Sequence, residues 1–122
     1  MFKFIRICFG YVSVDRDWSY VTFQSDGSKG SVVANILDVN TLHRFLVVTK
    51  PFSKNYLVLE FGRGYIDEDE IVEVHTIGRD DTREVQFTHY REALSAVYDR
   101  LDANADRFAA LPHTGGALKW VV

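Results

Sequence analysis

The stretch Thr88–Pro112, THYREALSAVYDRLDANADRFAALP, decides the fold class, because its apolar residues recur every three or four positions. The apolar stripe consists of Tyr90, Leu94, Val97, Leu101, Phe108 and Leu111, with Asn104 or Ala105 filling its one gap. This spacing places apolar side chains along one side of an α-helix, which Thr88 can cap and Pro112 ends. The sequence therefore predicts a helix over about residues 89–110, with Leu101 near the centre of its buried face.

The chain before this helix has the pattern of a strand-rich fold, in which short β-branched and aromatic segments alternate with turn residues. We predict one strand over Phe2–Val14 that forms a hairpin with Trp18–Phe23. Further strands are predicted at Ser31–Leu37, Thr41–Thr49, Tyr56–Phe61, Ile71–Ile77 and Arg83–Phe87. Thr41–Thr49 also fits a helical face, and we favour a strand because its second half is β-branched.

Strands followed by a single long helix indicate an α+β domain. We expect a mostly antiparallel sheet of about six to seven strands, curled or closed into a partial barrel, with the C-terminal helix against it. Residues 1–122 are predicted to form a single domain: strands over about 2–87, the helix, and an apolar tail over 117–122. The 47% apolar content excludes a disordered chain, and no apolar run is long enough to cross a bilayer.

The N-terminal segment and the cysteine content bear on the compartment. Lys3 and Arg6 interrupt the first apolar segment, and no small-residue cleavage site follows, so we interpret it as a strand and not as a signal peptide. Cys8 has no second cysteine with which to form an internal disulfide. A cytoplasmic protein is the expectation.

Charge is unevenly distributed along the chain, whose formal net charge is −3. Residues 1–54 hold seven Lys and Arg against four Asp and Glu, whereas residues 60–84 hold nine acids against three arginines. We call the following residues the acidic strip: Asp67, Glu68, Asp69, Glu70, Asp80 and Asp81. Because nucleic-acid binding requires clustered cations, this balance predicts no direct nucleic-acid binding. It instead favours a protein partner with a basic surface, such as a protein that handles nucleic acid.

The sequence contains no recognised catalytic signature, since both the phosphate-binding Gly-Lys-Ser/Thr and Gly-x-Ser-x-Gly are missing. The four histidines are scattered, and no two have a spacing that chelates a metal from one element. A site made by His75, His89 and Asp80 or Asp81 would need the fold to bring them together, and nothing in the spacing requires that. We therefore predict no catalytic residues, no metal and no cofactor.

Large aromatic residues are concentrated in the first 23 residues, on both faces of the predicted hairpin. A small sheet packed against one helix buries only one face, so either the sheet curls or some aromatic surface is left for a partner. Trp18 and Tyr20 are the predicted partner-binding anchors in this segment, because Trp and Tyr are frequent at the centres of interfaces.

These observations favour a small non-catalytic protein-binding module, of the kind represented by phage inhibitors of host machinery, immunity proteins and adaptors. Its binding residues are predicted to be Trp18, Tyr20 and the acidic strip. One alternative is a self-associating subunit of a virion or other assembly, and a homodimer is compatible with the sequence. Another is a small enzyme or ligand-binding domain with a pocket between sheet and helix. The residues expected at the mouth of that pocket are His75, Arg79, His89 and Tyr90.

Overall fold

The structure is a computed structural model that describes residues 3–7, 10–15, 18–62, 64–65, 70–71, 74–78 and 85–109. These residues form eleven strands and one helix. The strands are β1 (Lys3–Ile7), β2 (Gly10–Val14), β3 (Val21–Ser25), β4 (Ser28–Lys29), β5 (Ser31–Asp38), β6 (His43–Thr49), β7 (Tyr56–Phe61), β8 (Gly64–Tyr65), β9 (Glu70–Ile71), β10 (Val74–Ile77) and β11 (Gln86–Phe87). The helix is α1 (Tyr90–Ala109).

The strands form two main antiparallel sheets. The first sheet has the order β1-β2-β3-β4, and the second has the order β10-β7-β6-β5, with β11 also pairing with β7. β8 and β9 form a separate two-stranded pair. The α+β class with a C-terminal helix is thus confirmed, but the described strands form two sheets and no closed barrel, so a single curled sheet is not what they make.

The predicted strand Phe2–Val14 is wrong in one respect, because it is two strands. β1 and β2 pair from Lys3 opposite Val14 to Ile7 opposite Gly10. Gly10 has a φ of +150°, and a Cβ atom there would lie 1.9 Å from the carbonyl oxygen of Gln24, so the position requires glycine. Val12 and Val14 are buried together with Ile5 and Ile7, whereas a continuous strand would have placed the two pairs on opposite faces.

The second sheet is the middle of three layers. One of its faces packs on the first sheet through side chains from both: Ile5, Ile7, Val12, Val14 and Phe23 against Leu46, Val48, Leu57, Leu59 and Phe61. Its other face, which includes Phe45, Val47 and Val58, packs on Ala93 and Val97 of α1. Because both faces are covered, β6 and β7 are almost continuously apolar instead of alternating.

The chain passes between the two sheets at Gly30, which separates β4 from β5. The amide of Gly30 donates to the carbonyl of Phe23 at 2.8 Å. A Cβ atom on Gly30 would lie 2.1 Å from the carbonyl oxygen of Thr49 and 2.5 Å from the Phe23 ring. The close approach of two backbones at this crossing therefore depends on glycine.

The helix has nearly the predicted bounds, and of the predicted stripe Val97 and Leu101 pack toward the second sheet. Ala93 and Val97 are fully buried, whereas Leu101 is only partly buried and Tyr90 is exposed. The expectation of Leu101 at the centre was wrong because it followed large apolar side chains, and the face that meets the sheet is built from smaller ones. The side chain of Phe108 and the predicted tail 117–122 lie outside the described residues.

The ambiguous segment Thr41–Thr49 is a strand from His43 onward, as favoured, and its first two residues belong to the turn after β5. Leu42 has a φ of 63° in this turn, and its amide donates to the carbonyl of Asp38 at 2.7 Å. No helix made by the described residues is both long and apolar enough to cross a membrane.

Candidate functional site

A buried carboxylate, Glu60, lies between the second sheet and α1. Glu60 belongs to β7, where it pairs with Phe45 of β6 and His75 of β10. Its side chain is 1% exposed. A charged side chain at such a position requires partners that compensate for its lost hydration.

Three side chains supply that compensation. Nε of Arg100 donates to Oε1 of Glu60 at 3.0 Å, and Nδ2 of Asn104 donates to Oε2 at 3.3 Å. Nδ1 of His43 lies 2.8 Å from Oε2. Arg100 and Asn104 are one helical turn apart on α1, while His43 begins β6, so Glu60 links three elements. We call these four residues the Glu60 cluster.

The pKa of Glu60 is lowered below its ordinary value. Burial raises the pKa, but the hydrogen bond with His43, the charge of Arg100 and the hydrogen bonds from Asn104 and Arg100 together outweigh burial. Glu60 is therefore an ionised acceptor at neutral pH, and Nδ1 of His43 carries the hydrogen of their bond. Both carboxylate oxygens of Glu60 accept hydrogen bonds from side chains, so Glu60 joins the helix to the sheet.

A carboxylate that orients a histidine through Nδ1 is also an arrangement found in acid–base catalysis, where the other ring nitrogen acts on a substrate. Such a role needs a recess beside the histidine. His43 is not among the lining residues of the two clefts described below. What the described contacts of the Glu60 cluster do show is that it joins α1 to β6 and β7.

The larger cleft, of about 740 Å³, runs along α1 beside the end of β10. Its lining includes Ile77, His89, Arg91, Asp99 and Arg100, so charges of both signs face it. His89 lies where the pocket hypothesis placed it, but Tyr90 and His75 are not among the described lining residues, and Arg79 lies outside the described chain. The core between sheet and helix is itself filled by apolar side chains.

No layer made by the described residues covers the outer face of the first sheet. The cross-strand pairs place these side chains together on it: Phe4, Arg6, Tyr11, Ser13, Thr22, Gln24 and Lys29. We call this set the outer face. Phe4 is 72% exposed and Tyr11 48% exposed. These two residues are on neighbouring strands, two residue pairs apart.

The two aromatic residues predicted to bind a partner have different surroundings. Trp18 is half-buried, with its ring centroid 5.1 Å from that of Phe61, and the guanidinium of Arg44 lies 5.2 Å from the Trp18 ring. Its carbonyl accepts from Nδ2 of Asn35 at 3.0 Å. Tyr20 is 69% exposed, and its amide donates to the Asp15 carboxylate at 2.8 Å. The structure thus gives Trp18 a packing contact and leaves Tyr20 accessible.

The acidic strip is largely outside the described part of the chain. Asp67, Glu68, Asp69, Asp80 and Asp81 are not described, and of Glu70 only the backbone is, opposite Tyr65 in the pair formed by β8 and β9. Their role in binding stays a prediction. Among the described residues, no three or more His, Cys, Asp or Glu side chains are grouped so as to hold a metal ion.

Sequence reasoning missed the Glu60 cluster. Glu60 was counted only as one of the nine acids of residues 60–84, although it interrupts the apolar run Tyr56–Phe61. The available signal was a single charged residue within this apolar run, together with the polar Asn104 in the apolar stripe of the helix. Which element would meet Glu60 could not be inferred without the packing.

Comparison with known proteins adds no family to this picture. No protein-family model, no curated protein and no solved structure matches the chain.

Proposed function

We propose that the protein is a non-catalytic protein-binding module of the inhibitor or adaptor type, and that an extended segment of its partner docks along the free edge of β5. Among the described strands, β5 pairs only with β6 and ends the second sheet. The unpaired backbone groups of an edge strand can bind another strand by main-chain hydrogen bonds, and its side chains then select the partner.

The side chains of β5 support this proposal. Val33 and Leu37 are exposed on this strand, and Val39 and Leu42 are exposed in the turn that follows it. No charged residue or proline lies between Ser31 and Leu37, although charges and proline are the usual means by which proteins block a free edge. The Ser31–Leu37 edge thus offers apolar and hydrogen-bonding surface together.

Two local features define where the edge is accessible. A β-bulge lies between Val32 and Ala34, and the Tyr90 hydroxyl donates to the carbonyl of Val33 at 3.4 Å. Asp38, at the end of β5, is turned into its own hairpin, where Oδ1 accepts from the amide of Asn40 and Oδ2 from the hydroxyl of Thr41. The segment that we propose to receive the partner is therefore centred on Ala34–Leu37.

The other edges are less suited to strand addition. β1 carries Lys3 and Arg6, β4 has two residues, and β10 has four. We further propose that the acidic strip contacts a basic region of the same partner. That part of the proposal is supported by the charge distribution in the sequence.

The proposal is tested by capture from a lysate of the source organism with three tagged forms of the full chain. Val33→Lys combined with Leu37→Lys places two charges on the free edge, and Phe52→Lys places one on a fully exposed side chain between β6 and β7. We expect quantitative mass spectrometry to find proteins that the wild type and Phe52→Lys retain and the double variant loses. Equal retention by all three forms would contradict docking on β5.

Light scattering on the purified forms identifies self-association. A wild-type dimer that becomes a monomer in the double variant would show that the segment docked on β5 comes from a second copy of the chain. This result would favour the assembly-subunit alternative. If all three forms are monomers, the partner is a different protein.

A further inference from the structure

We infer that the outer face of the first sheet binds single-stranded nucleic acid. This inference goes beyond the proposed protein partner and concerns a different surface, since β5 belongs to the second sheet. The outer face and α1 lie on opposite sides of that second sheet. Nucleic acid on the outer face would therefore approach the molecule from the side away from the helix.

Exposed aromatic rings provide the first part of such a site. Phe4 and Tyr11 are diagonal neighbours on β1 and β2, a relation that places their Cα atoms about 7–8 Å apart. Tyr20 lies two residue pairs beyond Thr22, because the amide of Asp15 donates to the Tyr20 carbonyl at 3.1 Å in line with the β2–β3 pairing. Single-stranded nucleic acid stacks its bases on such rings, and β-sheets commonly present them.

Positively charged side chains provide the second part of the proposed site. Arg6, Tyr11, Gln24 and Lys29 form one row across all four strands, so a cation lies at each end of a row that contains an aromatic ring. The charged residues within these four strands are all cations. Asp15 directly follows the last residue of β2. Its two carboxylate oxygens accept hydrogen bonds from the Ser19 hydroxyl and the Tyr20 amide.

A cleft at the end of this row supports a phosphate position beside an aromatic ring. The cleft has a volume of about 290 Å³ and is lined by Arg6, Ile7, Gly10, Tyr11, Ser25, Asp26 and Lys50. Two cations thus face it together with Tyr11 and a single carboxylate, Asp26. A phosphate held by Arg6 would leave the adjoining base close to Tyr11.

The distribution of charge along the sequence explains why the whole-chain balance pointed the other way. The net charge of the chain is negative because of acids after residue 60, whereas the first sheet comes from the positive segment 1–54. An acidic peptide would form ion pairs with the cations, but its binding would not require three exposed aromatic rings. Single-stranded nucleic acid uses both, and we therefore favour it as the ligand.

The test is fluorescence anisotropy of a labelled oligothymidylate of about twelve nucleotides, a length within the range that small single-strand-binding folds cover. At about 50 mM salt we expect saturable binding with a Kd of about 100 µM or tighter, and weaker binding of a duplex of the same length. Phe4→Thr combined with Tyr11→Thr should weaken binding at least about tenfold, because each stacked base contributes substantially. Tyr98→Ala removes an exposed ring from α1 and should change nothing.

A second variant tests the cations. Arg6→Gln combined with Lys29→Gln should weaken binding and reduce the slope of log K against log salt by about 1.4, the value for two phosphate contacts on a single strand. The circular dichroism spectrum of each variant verifies that it is folded. Absence of saturable binding, equal binding by the Phe4 and Tyr11 variant, or equally tight binding of the duplex would overturn the inference. Equal affinity for a polyglutamate peptide would assign the outer face to an acidic protein.

Discussion

At the scale of single residues, the Glu60 cluster shows how one buried charge is made compatible with the core. Removing a carboxylate from water is unfavourable, and the hydrogen bonds and the charge of Arg100 compensate for it. The same contacts fix α1 against β7 at the end where the apolar packing of Ala93 and Val97 stops. Glu60 therefore contributes to the placement of the helix as well as to stability.

The lowered pKa of Glu60 predicts a specific dependence of stability on pH. A carboxyl whose pKa is lower in the folded than in the unfolded state stabilises the fold above its unfolded pKa. That contribution is lost as the pH falls through the folded pKa. Glu60→Gln should lower the free energy of unfolding at pH 7 by about 2 kcal/mol, since hydrogen bonds to a charged group are lost.

The difference between wild type and Glu60→Gln should then shrink as the pH is lowered from neutral into the acid range. Urea unfolding at a series of pH values measures this difference in the free energy of unfolding. Asp102→Asn is the matched control, because Asp102 is an exposed acid on the same helix. A gap between wild type and Glu60→Gln that stays constant with pH would contradict the assignment of an ionised, stabilised carboxylate.

At the scale of elements, the helix face that meets the second sheet is defined by Ala93 and Val97. Ala93→Leu should destabilise the protein by about 1–3 kcal/mol, because three additional carbons must enter a filled contact with the sheet. Ala103→Leu makes the same chemical change at an exposed position of α1 and should stay within about 0.5 kcal/mol of wild type. Thermal unfolding of both variants distinguishes them, and equal effects would mean that the helix presents a different face.

The elements also show what the sequence can and cannot predict. The helix from 90 to 109 and the strand character of Tyr56–Phe61 follow from local periodicity, which acts within a few residues. The division of Phe2–Val14 into β1 and β2 could not be predicted, because the segment is largely apolar and its composition does not mark where one strand ends. The burial of Glu60 depends on its packing against Arg100 and Asn104, at 40 and 44 residues' separation, which periodicity does not encode.

At the scale of the whole molecule, the cations of the first sheet come from a different part of the chain than most of the acids. Arg6 and Lys29 lie on the outer face, whereas most acids of residues 60–84 are later in the chain. The two proposed ligands therefore use separate surfaces: nucleic acid on the first sheet, and a protein on the edge of the second. Variants of one surface should leave binding at the other unchanged.

The acidic strip predicts how binding to a captured partner depends on charge. Asp67→Lys, Glu68→Lys and Asp69→Lys together should slow association by about tenfold or more and weaken its salt dependence. Dissociation should change little, since peripheral charges act mainly on encounter. Surface plasmon resonance at several salt concentrations measures both rates.

Asp99→Lys with Asp102→Lys, on the exposed side of α1, controls for net charge. Association that is unchanged in the triple variant at low salt would assign the strip to solubility alone.

Hydrogen–deuterium exchange on the wild-type chain, with and without the captured partner, measures whether a partner segment adds to the edge of β5. Amides of an edge strand that face away from its neighbour exchange quickly, and they are protected once another strand bonds to them. We predict slower exchange in the complex across Ala34–Leu37, with no change in β1 and β2 of the first sheet. Unchanged exchange across Ala34–Leu37 in a saturated complex would contradict the proposed docking.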